Sequence, residues 1–184
     1  TYGADGFTMS ADAVGPKVGS ELQRKAAIAI LMSFALTLVY LAFRFEWRFG
    51  VAAIVATFHD ITVTFGFISL FNIEITLATV AAILTILGYS LNDTIVVFDR
   101  IRENLKKRRK DAYADIVNAS INETLPRTVL TSGTTLATLL ALFILGGTVV
   151  RPFALVLILG VMIGTYSSIF VASPVLLEIE ERSR

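Results

Sequence analysis

The run ITLATVAAILTILGYSLNDTIVVFDRIREN, residues 75–104, decides how the whole chain is read. Its first half is apolar for long enough to enter a bilayer as a helix. Its second half sets Asn92 and Asp93 side by side near the far end of that helix, then becomes densely charged. An aspartate inside a membrane helix costs roughly 2.5–3.5 kcal/mol on insertion scales. Something must offset that cost, so Asp93 is the first functional candidate.

Outward from this run, the 184 residues are 55% hydrophobic with a mean hydropathy of +0.73. Soluble domains hold roughly 45–50% apolar residues. The excess falls in blocks of membrane-crossing length, which predicts an all-α membrane protein. The expected architecture is a bundle of five transmembrane helices over 26–43, 49–71, 75–98, 128–145 and 153–177. Residues 1–24 form the lead-in, 25–177 the transmembrane domain and 178–184 a charged tail. In the lead-in, VGPKVG (14–19) is expected to break any regular element, with Ser20 capping the first span. The polar start at Thr1, without a charged region and cleavage site, reads as a fragment or processed product.

Between the third and fourth spans, residues 111–125 carry apolar Tyr113, Ile116, Val117, Ile121 and Leu125 at helical spacing. The opposite face holds Asp115, Asn118, Ser120, Asn122 and Glu123. This pattern predicts a short amphipathic helix lying on the membrane surface, with Pro126 opening the fourth span. In FRFEWRF (43–49), Trp47 and the flanking phenylalanines suit the headgroup level. Twelve of the sixteen Lys and Arg residues collect on one side: Arg44, Arg48, the cluster from Arg100 to Lys110, Arg127, Arg182 and Arg184. The positive-inside rule puts that side in the cytoplasm, with the amino end outside and the carboxyl end inside.

Several chemistries are excluded. The chain has no Cys and one His, so a disulfide framework, a thiol nucleophile and a zinc site all lack residues. No Walker loop is present, which leaves ATP without a binding motif. An intramembrane protease needs converging aspartates, whereas Asp60 and Asp93 are expected at different depths and GYSLND is not a GxGD motif. No enzymatic activity, cofactor or nucleic-acid partner is expected.

What remains is ion chemistry. Tyr89 and Ser90 share the helical face of Asp93. Asn92 lies on a face with Ala81, Thr85 and Gly88, small enough for close approach of another helix. Arg127 is expected at a depth similar to that of Asp93, where the two could meet; its alternative is an anchor snorkelling to the surface. The stripe Thr131, Thr134 (or Thr135) and Thr138 reads first as hydroxyls bonding their own backbone, and second as a proton or water path. His59 and Asp60, near the middle of the second span, read equally as a proton relay and as a structural hydrogen-bonding pair. Asp99 and Arg102 could pair on a solvated face. Lys106 to Lys110 could hold anionic membrane lipid. Gly160, Gly164 and Ser168 form a small-residue packing seam.

GYSLNDTIVVFDRIREN resembles the signature of the SecF branch of the SecD/SecF protein-export family, within the resistance-nodulation-division superfamily. FRFEWRF, the pair at 59–60, VGPKVG, LPRTVLTS (125–132) and GTYSS (164–168) resemble that family too, in order, from about Val14 to Ser173. The resemblance implies six spans with a periplasmic domain between the first two. It implies that this chain lacks the first span and most of that domain. It implies SecD, the Sec translocon channel and preproteins as partners, the last through the missing domain, in the bacterial cytoplasmic membrane. The coupling ion would be the proton, with sodium as the alternative. Asp93 matches the motif aspartate of the family's proton path, and Arg127 its arginine on the following helix. Two alternatives stand beside this: half of a proton-coupled efflux transporter of the same superfamily, and a purely structural membrane subunit. Efflux pumps carry paired acidic residues where this chain has Asn92 and Asp93.

Overall fold

Apolar side chains without a turn signal for twenty or more residues have one stable form in lipid, the helix, which satisfies every backbone group internally. The computed structural model describes residues 16–182 and is built this way. Its elements are α1 (Pro16–Arg44), α2 (Trp47–Leu70), α3 (Leu77–Lys107), α4 (Tyr113–Leu145), α5 (Gly147–Ser167), a π-helical turn (Ser168–Ala172) and α6 (Ser173–Arg182). The last three run on as one rod, so five helices are long and apolar enough to cross a membrane. Most of the expected lead-in domain and the first half of the VGPKVG turn lie outside the described residues, as do residues 183–184.

Four boundaries differ from the expectation. Pro16 and Gly19 do not break the first helix; Pro16 opens it, because proline's fixed φ suits a first helical turn. The segment 111–125 is not a separate surface helix but the first half of α4, with Pro126 inside. Its apolar face packs inward, burying Ile116 and Val117, and buried Asn104 of α3 donates 2.9 Å hydrogen bonds to Ser120 Oγ and Glu123 Oε2. These contacts offset the proline's missing backbone bond, which costs about 3 kcal/mol inside a helix. The fifth span starts earlier, at Gly147, whose φ of +70° suits glycine. It also ends later, since the charged tail continues as helix to Arg182 and Glu180 pairs with Arg48.

The phenylalanines of FRFEWRF divide. Phe43 and Trp47 face outward, whereas Phe45 and Phe49 turn in and meet Phe98 edge-on, ring centroids 6.2 and 5.3 Å away. Asp99 of α3 accepts hydrogen bonds from Arg44 on both carboxylate oxygens, at 2.8 and 2.7 Å, closing α1 onto α3. At the opposite end of the bundle, Asn72 takes a left-handed φ of 48°, and Ile73 N–H bonds back to Ile68 O at 2.9 Å. Thr76 caps α3 by accepting from Thr79 N–H at 3.2 Å.

α3 is the central helix, packed against α1, α2, α4 and α5. Its crossing with α5 is close because α5 presents glycine there. A Cβ at Gly164 would fall 2.8 Å from Ser90 Cβ, and one at Gly160 would strike Ile86. The core then splits into two apolar layers. One, at the basic end, holds Phe45, Phe49, Leu91, Phe98, Ile101 and Leu176. The other holds Ile68, Ile83, Ile86, Leu139, Leu157 and Val161. What lies between them is polar.

Candidate functional site

Four helices deliver polar side chains to this middle layer. α2 contributes Asp60, 1% exposed; α3 contributes Ser90 and Asp93, 1% and 3% exposed; α4 contributes Ser132 and α5 contributes Thr165, Ser167 and Ser168. In a low-dielectric interior a buried polar group without a partner is costly, so each of these bonds needs a destination.

Two strings of contacts account for most of them. In the first, Asp60 Oδ1 lies 2.9 Å from His59 Nδ1, while Ser90 Oγ donates to Asp60 Oδ2. Ser167, on α5, stands beside the same carboxylate without a hydrogen bond of ordinary geometry. In the second, Tyr89 OH donates to Ser132 Oγ at 3.4 Å, and Ser132 Oγ and Thr165 Oγ1 pair at 2.7 Å. Thr165 in turn stands beside Asp93. Asp93 Oδ2 is buried and has no hydrogen-bond partner. A carboxylate oxygen left this way is poised to accept a proton.

Arg127 is exposed, and no direct ion pair joins it to Asp93, although its charge is close enough to act on that carboxyl. It lines a cleft of about 370 Å³ between α3 and α4, together with Asp99, Arg100, Glu103, Glu123 and Thr124. Within it Glu123 accepts from Arg100 Nε at 2.5 Å. The anticipated Asp93–Arg127 meeting is therefore approached but not closed in this arrangement.

Other expected site residues fall elsewhere. Asn92 is exposed on the outside of α3, turned away from the polar layer; adjacent positions on a helix point about 100° apart, so being next to Asp93 in sequence does not bring it in. Ala81, Thr85 and Gly88 are exposed on that same face, and nothing lies within 4 Å of a Cβ built on Gly88. The small-residue face is thus open rather than packed within the chain. The threonine stripe of α4 bonds its own backbone: Thr135 to Thr131 O at 2.9 Å and Thr138 to Thr134 O at 3.0 Å. The α4 hydroxyl that joins the layer is Ser132. Asp60 and Asp93, expected at different depths, are linked through Ser90, less than one helical turn from Asp93. Ser132, Thr165 and Ser167 were singled out by no spacing argument, though each lies in LPRTVLTS or GTYSS. Among the described residues no group of His, Asp and Glu is arranged to hold a metal ion.

A buried carboxylate pair amid hydroxyls, sealed above and below by apolar layers, is the arrangement of an ion-handling membrane protein rather than of a passive span. Comparison with known proteins is specific on this point. The family described as protein export membrane protein SecD/SecF, C-terminal, matches residues 2–182. The chain is 55% identical over 183 residues to the protein translocase subunit SecF of Gemmatimonas aurantiaca, covering 98% of this chain and 55% of that protein. It is 54% identical over 166 residues to the SecF of Vibrio alginolyticus, covering 90% and 53%. It is 51% identical over 176 residues to the protein translocase subunit SecDF of Thermus thermophilus, covering 96% and 24%. A crystal structure of SecDF in its super-membrane-facing form superposes with a TM-score of 0.83 at 50% identity, covering 92% of this chain and 22% of that one. The chain spans about half the length of the SecF relatives it matches. With one family matched from residue 2 to residue 182 and half or more of the positions shared with its members, this chain belongs to the SecD/SecF family of protein export membrane proteins.

Proposed function

We propose that this chain is the membrane part of a SecF-type translocase subunit, which works with a SecD-type partner to couple a cation gradient to preprotein movement across the bacterial cytoplasmic membrane. The coupling ion is the proton, and Asp93 is the group that carries it. One observation supports this above the others: Asp93 is 3% exposed, lies between two sealing apolar layers and keeps one oxygen without a partner.

Arg127 supplies the opposing charge. When Asp93 is ionised the guanidinium is drawn toward it; when Asp93 is protonated that attraction ends, and α4 is released relative to α3. A cycle driven this way has about 2.3 kcal/mol available per charge per 100 mV. That shifts a two-state element more than tenfold. The partner's place follows from the open face of α3. Ala81, Thr85 and Gly88 leave room for a second helix to come close, and Asn92 gives that helix an amide to bond. The basic ends face the cytoplasm, so protons leave through the cleft at Arg127.

The test is export of a preprotein by the full-length subunit with its SecD partner, with the gradient present and then collapsed. Asp93→Asn, which keeps the shape but cannot ionise, is expected to lower the gradient-dependent part at least tenfold. Export that still responds fully to the gradient in this variant overturns the proposal.

A further inference from the structure

The mechanism built on Asp93 leaves a second buried acid without a task. Asp60 is buried more deeply still, bonded to His59 on one oxygen and to Ser90 on the other. Three residues separate Ser90 from Asp93 on α3, which makes them neighbours on one face about 5–6 Å apart. Asp60 touches Ser90, so on the order of 10 Å or less separates the two carboxylates. Both face the same strip of α5, with Ser167 beside Asp60 and Thr165 beside Asp93.

Charged and titratable groups around this layer are few. α2 brings His59, α3 brings Asp93 and Tyr89, and α4 brings Arg127 at its margin. From α5 come hydroxyls, and Tyr166 lines a groove beside His59 with Val63, Met162 and Ile163. Arg44 of α1 is taken by Asp99, and Glu180 of α6 by Arg48, both at the basic end. With His59 neutral, two carboxylates therefore answer to one guanidinium. A second bare negative charge in that interior is far costlier than a protonated acid.

We infer that Asp60 and Asp93 share one proton. Asp60 holds it, hydrogen-bonded to His59, while Asp93 is ionised against Arg127; when Asp93 takes up a proton at Oδ2, Asp60 gives its own up. No bond between heavy atoms changes, and the layer keeps one proton throughout. The inference rests on the Asp93 reading and adds to it a second station on α2, so that protonation at one helix is felt at the helix across from it.

The test uses the full-length subunit with its partner, reconstituted in vesicles, with infrared difference spectra of the carboxyl band titrated against pH alongside export. Asp60→Asn keeps an acceptor for Ser90 and offers a donor to His59, so a structural role survives the change. Sharing requires the pH midpoint for proton uptake at Asp93 to fall by about one unit or more, the threshold for coupled sites. The export profile moves with it. A midpoint that stays put or rises overturns the inference and leaves Asp60 a packing residue. If Asp60→Asn does not assemble, Ser90→Ala decides instead: losing that donor strengthens proton binding at Asp60 and lowers the same midpoint by a smaller amount, and no movement overturns the inference. Failure of the parent reading shows up separately, as full gradient response in Asp93→Asn.

Discussion

Ser90 donates a hydrogen bond from α3 to Asp60 of α2 at the level where Gly164 of α5 lets the two backbones come together. One serine thus serves two purposes: its hydroxyl satisfies a buried acid, and its small side chain permits the helix crossing. Ser90→Ala removes the first and keeps the second. Leaving a buried acceptor without its donor costs about 1–3 kcal/mol. A lower midpoint of thermal unfolding in detergent is the expected result, and an unchanged midpoint means the bond contributes nothing net.

The two ends of the glycine set make opposite predictions. Gly160 faces Ile86 across the α3–α5 crossing, whereas Gly88 faces out of the bundle. Gly160→Leu overpacks the core and is expected to destabilise the chain by about 1–3 kcal/mol. Gly88→Leu should leave thermal stability unchanged and reduce recovery of the SecD partner on co-purification. Equal loss of stability in both variants removes the distinction between inner seam and outer face.

At the basic end, Asn104 is the buried tie between α3 and the first half of α4. Asn104→Ala strands Ser120 and part of Glu123 and is expected to cost about 1–3 kcal/mol locally. Faster hydrogen exchange confined to peptides around 104–124 is the readout. Exchange that spreads through the spans instead points to a tie supporting the entire bundle.

Pro126 makes a prediction of the other sign. It cannot donate to the carbonyl four residues back, Asn122. Pro126→Ala supplies that bond, so the isolated chain is expected to unfold at a higher temperature, by up to about 3 kcal/mol in stability. A drop in stability means the helix needs the bend that proline imposes.

The spans and the primary site were legible because each rests on a single strong physical signal. Five apolar blocks in lipid become helices, and a lone acid such as Asp93 in the middle of one is conspicuous. Asn92 was misplaced because chain adjacency was allowed to stand for proximity, and on a helix it does not. The surface helix at 111–125 was misread for a different reason. An apolar stripe states that it must be covered, not whether lipid or protein covers it, and here α3 extends past the apolar region far enough to do so. Ser132, Thr165 and Ser167 carried no signal of their own, since a hydroxyl in a membrane helix bonds its own backbone as readily as a neighbour. Their part depends on which way α4 and α5 are rotated about their axes, which only packing fixes.

The two greasy layers that enclose Asp60 and Asp93 have a consequence for the cell. A subunit made before its partner arrives sits in an energised membrane, where any conducting wire of polar groups would drain the gradient it is meant to use. With Phe45, Phe49 and Phe98 closing one end and Ile83, Ile86 and Leu157 the other, the lone bundle is an insulator. Conduction then belongs to the assembled complex, so newly made subunits do no harm while they wait.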